Sequence, residues 1–204
     1  MLTYKFPYIY ELVFKLPPLL IWRKKSLKAL VGAIHELPLR PHKILDIGCG
    51  TGVLTPVIRE LYPEAEILGI DNSANMINFA RMRYGNLAEF KVVDFLGRVD
   101  ESLCSHQYDL IVGFYSFEFF PLAKGIAKIK ELLNSNGVCI IVTTGRTPFS
   151  ILHQFFTRKF LKTKILLYSP SDFRKFFIGE DFSLQTRTIS KVEGSYILSI
   201  KSLL

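Results

Sequence analysis

Short apolar runs alternate with stretches of helical periodicity along the middle of this chain. Four runs are typical of strands: Ile44 to Ile47, Glu66 to Ile70, Glu89 to Val93, and Tyr108 to Phe114. After the first run, apolar residues recur at spacings of three and four, as on one face of a helix: Leu54, Val57, Ile58 and Leu61. Strands that alternate with helices predict an α/β fold with a doubly wound, Rossmann-like sheet.

The second half of the chain continues this alternation and then departs from it. A helix over Leu122 to Leu133, a turn at 134–137 and a strand over Val138 to Thr143 extend the sheet. A segment from Arg146 to Tyr168 follows, whose apolar spacing predicts an inserted helix with its apolar side chains in the core: Phe149, Leu152, Phe155, Phe156, Phe160, Leu161, Ile165, Leu166 and Leu167.

The final elements predict an antiparallel end to the sheet. Ser169-Pro170 has the residue types of a helix start, with serine as the cap and proline in the first turn. Two strands, Phe182–Val192 and Ser195–Ser202, are joined by the turn Glu193-Gly194. We therefore expect seven strands, mostly parallel, with an antiparallel last strand and the inserted helical segment before the last two.

The first 22 residues are rich in aromatic side chains and contain three prolines, which are expected to prevent a long helix. An amphipathic helix is predicted only afterwards, from Ser26 to Leu37. Two interpretations of the N-terminal segment stay open. It forms a cover over a ligand site, or it lies on an anionic membrane surface through Trp22 and the basic run 23–25.

A length of 204 residues suits one domain with a sizeable core. Within it we distinguish an N-terminal cover at 1–40, a ligand-binding core at 41–145, and the insertion with the C-terminal strands at 146–204. Charge follows the same division. Residues 1–43 carry eight Lys and Arg against two acids, net +6; residues 146–204 carry ten against four, again +6; residues 44–145 carry eight against twelve, net −4. Basic flanks suggest an anionic substrate, membrane surface or nucleic acid.

The first predicted strand ends in the sequence Asp-Ile-Gly-Cys-Gly-Thr-Gly, from Asp46 to Gly52. Glycine permits positive φ and lets a ligand approach the backbone closely, and the following helix start offers unpaired N–H groups. A dinucleotide fingerprint would need a glycine at position 53, where this chain has Val53. Asp46 would suit the cationic amine of a ligand and would be unfavourable beside a pyrophosphate. These residues favour an adenosyl-sulfonium cofactor over NAD.

Acids also follow the next two strands. Asp71 lies nineteen residues after Gly52, close to the spacing of about 20 at which a carboxylate meets a ribose in doubly wound folds. Asn72-Ser73 then caps a helix that carries Met76. Asp94 ends the third strand, and Phe95 beside it supplies an apolar wall the size of a ring.

The run Ile-Leu-Asp-Ile-Gly-Cys-Gly-Thr-Gly resembles the first motif of the class I S-adenosylmethionine-dependent methyltransferases, and Leu-Gly-Ile-Asp-Asn-Ser is similar to their second motif. The resemblance covers roughly residues 40–204. It implies S-adenosylmethionine as cofactor, with S-adenosylhomocysteine as product. It also implies an acid on the ribose at Asp71 and an acid on the adenine amino group at Asp94. The predicted cofactor-binding residues are Asp46, Gly48, Cys49, Gly50, Gly52, Asp71, Asn72, Met76, Asp94, Phe95 and Gly113.

Methyl transfer requires alignment of an acceptor, and a general base only when the acceptor arrives protonated. The candidate catalytic residues are Tyr115, Glu118 and His153. Some relatives carry a histidine after the residue that matches Glu118; this chain has Phe119 there. We expect transfer to a small or lipid-like acceptor. The alternatives are methylation of RNA, or a catalytically silent binding module that keeps the fold.

The three cysteines, Cys49, Cys104 and Cys139, lie far apart, and no metal site is predicted from the residue spacing. Dispersed thiols fit a reducing cytoplasm. We therefore expect a cytoplasmic protein with a small-molecule or lipid-like acceptor. Peripheral contact with a membrane through the aromatic, basic N-terminus stays open as the alternative to a cover over the site.

Overall fold

The computed structural model describes residues 7–13, 15–38, 40–97, 103, 108–160, 164–177, 182–192 and 194–203, without the side chains of Pro18, Phe156 and Phe160. Cys104, Leu161 and Glu193 therefore lie outside the described part of the chain. Two helices open the structure, α1 (Pro7–Val13) and α2 (Pro17–His35). They are followed by β1 (Lys43–Ile47), α3 (Thr55–Leu61), β2 (Glu66–Asp71), α4 (Ala74–Tyr84) and β3 (Glu89–Val92).

The second half begins with β4 (Tyr108–Phe114) and a 3₁₀ turn at Phe117–Phe119. Then come α5 (Leu122–Leu132), β5 (Leu133–Thr144), α6 (Pro148–Phe160), α7 (Pro170–Arg174), β6 (Phe182–Thr188) and β7 (Ser195–Ser202). The described strands form one sheet in the order β3-β2-β1-β4-β5-β7-β6. Of its strand pairs, β7 is antiparallel to both β5 and β6, and the others are parallel. The predicted doubly wound sheet with an antiparallel last strand is confirmed.

The position of the sheet between two layers of helices explains why its strands are nearly continuous apolar runs. Both of its faces are covered, so strands such as Ile44–Ile47 are buried throughout. One face packs with α5 and α7 through Ile126, Ile129 and Phe173. The other packs with α2 and α3 through Leu30, Ile34 and Ile58. Because strand order reverses between β1 and β4, their carboxyl ends diverge and leave a crevice there.

The N-terminal helix α2 corrects one prediction. The prolines at 17 and 18 do not break a helix but begin it, because proline is tolerated in the first turn, where the N–H has no partner to lose. The helix therefore starts nine residues before the predicted Ser26 and ends at His35. Among the described residues, no helix is long and apolar enough to cross a bilayer.

The inserted segment corrects a second prediction. Its helix, α6, is present, but only part of the apolar set lies in the core. Ile165 and Leu167 are buried, whereas Phe149, Leu152 and Phe155 are more than half exposed. Helical spacing showed that these side chains share a helix and could not show which face packs on the sheet. After α6, the predicted start at Ser169 is confirmed, and its side chain forms a capping box with Asp172.

The bounds of two strands also differ from the predicted ones. The sixth strand ends at Thr188, four residues before the predicted Val192. The fifth begins at Leu133, without the predicted separating turn, because Leu133 already pairs with Tyr108. The register then shifts before Leu110 pairs with Val138. Asn136, at positive φ, lies within this irregular stretch.

Gly48 occupies a position that we expect alanine to disturb strongly. Its φ is +66°, and a Cβ there would lie 2.5 Å from the Cβ of Ser116. Gly50 is the matched control, since its φ is +54° but a Cβ would meet no atom within 4 Å. Gly50→Ala should cost about 1–2 kcal/mol in unfolding free energy for the left-handed backbone, and Gly48→Ala about 1–3 kcal/mol more for overpacking. Denaturant unfolding measures both. Equal losses would show that the contact with Ser116 relaxes freely.

Candidate active site

A cavity of about 780 Å³ opens at the carboxyl ends of β1, β2 and β4. Most of the predicted site residues line it: Asp46, Gly48, Cys49, Gly50, Asp71, Asn72, Asp94, Phe95, Tyr115, Glu118 and His153. Three predicted cofactor-binding residues lie behind its wall. Gly52 packs against Tyr84, Met76 is fully buried in α4, and Gly113 lies within β4 against Phe117.

The loop after β1 takes its shape from its glycines. Gly48, Gly50 and Gly52 all have positive φ, between 54° and 75°. This backbone folds back so that the Cys49 N–H donates to the Ile70 carbonyl, 2.9 Å away. Burial keeps the pKa of the Cys49 thiol well above its usual value, so the thiol stays neutral. The loop therefore brings backbone, and not a reactive side chain, to the cavity.

Asp71 joins the loop to the next unit of the fold. Its Oδ2 accepts from the Gly50 N–H at 3.1 Å, and its Oδ1 accepts from the Ser73 N–H at 2.8 Å. The carboxyl is 7% exposed. Burial raises its pKa, and the bonds from Ser73 and Gly50 oppose that rise. Asp71 therefore holds the loop in place while it forms part of the cavity wall.

Asp46 is a buried acid with an unmet acceptor. It is 2% exposed, and its Oδ2 has no hydrogen-bond partner among the described residues. Burial raises its pKa to about 7, and the neighbouring Asp71 raises it further in the same direction. An unpaired carboxyl of this kind is costly unless a ligand completes it. A cationic group is the natural complement.

The third strand end supplies an apolar pocket with an acid at its edge. Phe95 is buried, with its ring 5.5 Å from that of Phe120. Asp94 is exposed, and its Oδ1 accepts from the Leu96 N–H at 3.2 Å. This combination fits a flat ring that carries an exocyclic donor.

The N-terminal helices close the cavity through contacts that sequence reasoning did not predict. Glu11 on α1 accepts a hydrogen bond from the hydroxyl of Thr51, in the glycine loop, and lies 3.3 Å from Nη2 of Arg23 on α2. Trp22 donates from Nε1 to the Ser195 hydroxyl at 2.7 Å. The sequence held one weak signal: Glu11 is one of only two acids in the first 43 residues.

Tyr115 lies directly after β4 with φ of +55°. A bulky side chain in this region is strained, and such strain is concentrated at functional sites. Its hydroxyl is 2.6 Å from the Ser26 hydroxyl, and its ring is 4.7 Å from that of Trp22. The strained residue thus carries the contact between the sheet edge and α2.

Glu118 is a further buried acid that lines the cavity. It is 4% exposed, and its Oε1 accepts from the Thr144 N–H at 2.9 Å. Its Oε2 has no hydrogen-bond partner among the described residues. Burial raises its pKa to about 7. His153, the third candidate, lies on α6 with an exposed side chain at the rim. Of the three candidates, Glu118 is therefore the buried acid with an unpaired oxygen. The Tyr115 hydroxyl contacts that of Ser26, and the His153 side chain is exposed.

A doubly wound sheet with a glycine loop after β1 and acids after β2 and β3 defines a nucleoside-binding α/β protein. Residues 40–165 match the family described as a methyltransferase domain. The chain therefore belongs to the class I S-adenosylmethionine-dependent methyltransferases. The resemblance of its first two motifs is confirmed.

The relatives support this placement. The chain is 36% identical over 124 residues to a malonyl-[acyl-carrier protein] O-methyltransferase of Acetivibrio thermocellus, covering 60% of this chain and 42% of that protein. It is 35% identical over 100 residues to a trans-aconitate 2-methyltransferase of Streptomyces avermitilis, covering 48% and 37%. The match thus spans half or less of these relatives.

Magnesium protoporphyrin IX methyltransferase from Synechocystis PCC 6803, solved with S-adenosylhomocysteine, has a similar fold. The TM-score is 0.67 at 20% identity, over 89% of this chain and 84% of that one.

The cavity residues fit S-adenosylmethionine. The unpaired Oδ2 of Asp46 suits its cationic amine. The open space where Gly50 lacks a Cβ suits close approach of the ligand to the loop. Asp71 would face the ribose hydroxyls, and Asp94 with Phe95 would face the adenine.

Because Asp46 has a pKa of about 7, we expect affinity for S-adenosylhomocysteine to rise with pH. A cationic amine binds the ionised carboxylate, so binding below pH 7 releases a proton, and affinity should change by up to about tenfold per pH unit. Calorimetry near about pH 6 and about pH 8, in buffers of different ionisation enthalpy, measures both quantities. Asp46→Asn should remove the proton release. An affinity in the wild type that does not change with pH would contradict the assignment.

Proposed function

We propose that this chain transfers a methyl group from S-adenosylmethionine to a small acceptor with an apolar body. The cavity supports this proposal, because its wall contains apolar side chains besides the acids of the strand ends: Val13, Leu19, Phe114, Phe119, Ile165 and Leu167. Its volume of about 780 Å³ lies in the range of small-molecule sites. Aromatic and aliphatic walls favour an organic molecule over the backbone of a nucleic acid.

The cofactor supplies an activated methyl group when bound, so the protein contributes alignment and proton transfer. Tyr115 and Trp22, held by Ser26 and Ser195, form a rigid wall against which an acceptor can be positioned. The helices α1 and α2 line the cavity through Val13, Leu19 and Trp22, and we propose that they keep water from the reacting groups. A dry, preorganised site strengthens each electrostatic interaction within it.

The proposed mechanism rests on the buried, unpaired Oε2 of Glu118. Its unpaired Oε2 can take a proton from an acceptor hydroxyl or a similar group, while Oε1 stays bonded to the Thr144 N–H. A base works best when its pKa lies near the operating pH, and the pKa of Glu118 is about 7. The proton moves from the acceptor to Oε2, and the deprotonated acceptor atom accepts the methyl group.

The names of two relatives support an acidic group on the acceptor. They refer to a malonyl group and to aconitate, which both carry carboxyl groups. In the described part of the cavity wall, Arg23 and His153 are the basic side chains. We propose that an acidic group of the acceptor lies toward Arg23.

A transfer assay with tritium-labelled S-adenosylmethionine tests the proposal. Purified protein is incubated separately with an extract of small molecules, with total RNA and with a protein extract, and label is counted in each fraction. Label in the small-molecule fraction is the expected result. Label confined to RNA would show the alternative substrate. Binding of S-adenosylhomocysteine without transfer to any fraction would indicate a silent binding module.

A further inference from the structure

The outward face of α6 is apolar, although it faces solvent. Four of its side chains are exposed by 52–58%: Phe149, Ile151, Leu152 and Phe155. Its opposite face is buried through Ser150 and Thr157. A helix on the surface of a soluble protein normally presents polar residues outward. An apolar outer face of this kind marks a contact surface.

The charge on this helix has one sign. The sequence of α6 contains no acid, and its last turn carries Arg158 and Lys159. The Lys159 ammonium lies 5.8 Å from the centre of the Phe155 ring, so cation and apolar surface are adjacent. Both basic residues are exposed. The partner for such a face combines apolar material with negative charge.

The N-terminal helices, which also line the cavity, show the same combination of exposed apolar side chains and basic residues. Tyr8 and Leu12 on α1 and Ile21 on α2 are 65–67% exposed. The sequence of α2 also contains no acid, and its lysines at 24, 25 and 28 are exposed. Leu19 and Trp22 of α2 line the cavity, as do His153 and Thr157 of α6. The two apolar, basic faces therefore flank one opening.

We propose that α6, together with α1 and α2, docks on the surface of an anionic lipid bilayer, with the cavity opening toward the lipid. Exposed apolar side chains enter the boundary between headgroups and acyl chains, and the lysines and arginine bind anionic headgroups. The exposed apolar side chains of α6 and α2, two helices without any acid, favour lipid over an acidic protein, whose surface offers little apolar depth. The one acid of α1, Glu11, is paired with Arg23 and Thr51. The docking goes beyond the methyl-transfer proposal and holds whether or not the acceptor is a lipid.

Co-sedimentation with vesicles tests the docking. Vesicles of phosphatidylcholine and phosphatidylglycerol in equal parts should bind the protein, and vesicles of phosphatidylcholine alone should bind it at least about fivefold more weakly. The double variant Leu152→Asp/Phe155→Asp should reduce binding to anionic vesicles by about tenfold or more. Arg158→Glu/Lys159→Glu should reduce it by about fivefold per residue.

The matched controls lie at the amino ends of the parallel strands, at the end of the sheet away from the cavity. Leu203, 59% exposed after the end of β7, and the exposed Arg40 before β1 should tolerate Leu203→Asp and Arg40→Glu without loss of vesicle binding. Each variant is accepted as folded when it binds S-adenosylhomocysteine like the wild type. This check also separates the docking from the methyl-transfer proposal, because vesicle binding requires no turnover.

Three results would overturn the proposal. The first is the absence of binding to anionic vesicles by the wild type. The second is equal loss in the α6 variants and in the control variants. The third is a dimer, found by light scattering, that the α6 variants abolish while vesicle binding persists, because the apolar face would then belong to a second copy.

Discussion

Replacing Glu118 by Gln is expected to lower kcat by about 10²–10⁴-fold, the usual contribution of a general base. Glutamine keeps the shape of the side chain and its bond from the Thr144 N–H, but its amide cannot accept a proton at the position of Oε2. Affinity for S-adenosylhomocysteine should change little, because Glu118 is not among the residues assigned to the cofactor. Single-turnover kinetics with an identified acceptor measures the chemical step.

The pH profile separates proton transfer from a structural role. Because the pKa of Glu118 is about 7, the base is protonated and inactive below this pH, and kcat/KM of the wild type should rise as pH increases through about 7. Glu118→Gln should lose this inflection. A rate that falls with rising pH would show that protonated Glu118 acts as a hydrogen-bond donor, for example to a carboxylate acceptor.

The other two candidate bases are the comparators. Tyr115→Phe removes the contact with the Ser26 hydroxyl, and His153→Gln changes an exposed side chain at the rim. We expect both variants to keep kcat within about tenfold of the wild type, as neither presents an unpaired buried group. A larger loss in either of them than in Glu118→Gln would assign the base to that residue.

Asp71→Asn is expected to weaken the binding of S-adenosylhomocysteine by about 1–3 kcal/mol, or roughly 5- to 150-fold. The carboxylate accepts from the N–H groups of Gly50 and Ser73 and is assigned to the ribose hydroxyls. An amide has one acceptor oxygen, so it cannot serve both the loop and the ligand. Isothermal titration calorimetry measures the change.

Asp109 provides the matched control. Like Asp71, its carboxylate accepts from two backbone N–H groups, here those of His42 at 2.8 Å and Lys43 at 3.0 Å. Unlike Asp71, it does not line the cavity. Asp109→Asn should lower the unfolding free energy and leave the affinity for S-adenosylhomocysteine unchanged. Equal losses of affinity in the two variants would show that Asp71 acts only through stability.

The succession of strands and helices along the chain and the position of the glycine loop could be predicted from the sequence, because both depend on local chemistry. Buried parallel strands require continuous apolar runs, and the turn after β1 requires glycine at positive φ. Asp46 and Asp71 lie in the last residues of β1 and β2, and Asp94 comes two residues after β3, so a parallel sheet places all three near the carboxyl ends of neighbouring strands. Their proximity follows from the sequence pattern and the topology together.

Two other features were predicted wrongly, the first because it depends on distant contacts and the second because a local signal was misinterpreted. Sequence spacing predicted the helix of α6 but placed Phe149, Leu152 and Phe155 in the core, whereas packing exposes them. It predicted a broken helix at residues 17 and 18, where proline instead begins α2.

The sequence by itself determined the class of the protein and its methyl donor. The glycine motif from Asp46 to Gly52 and the stretch around Asp71 resemble those of a known family, and the residue types at these positions suit an adenosyl-sulfonium cofactor. Only the tertiary structure supplies the grounds on which we propose Glu118 as the base. Spacing along the chain gives no ground for a choice among Glu118, Tyr115 and His153. Burial distinguishes Glu118, because it leaves Oε2 without a partner among the described residues and raises the pKa to about 7. The Tyr115 hydroxyl contacts that of Ser26, and the His153 side chain is exposed at the cavity. Desolvation is a property of the packed fold, and no spacing in the chain encodes it.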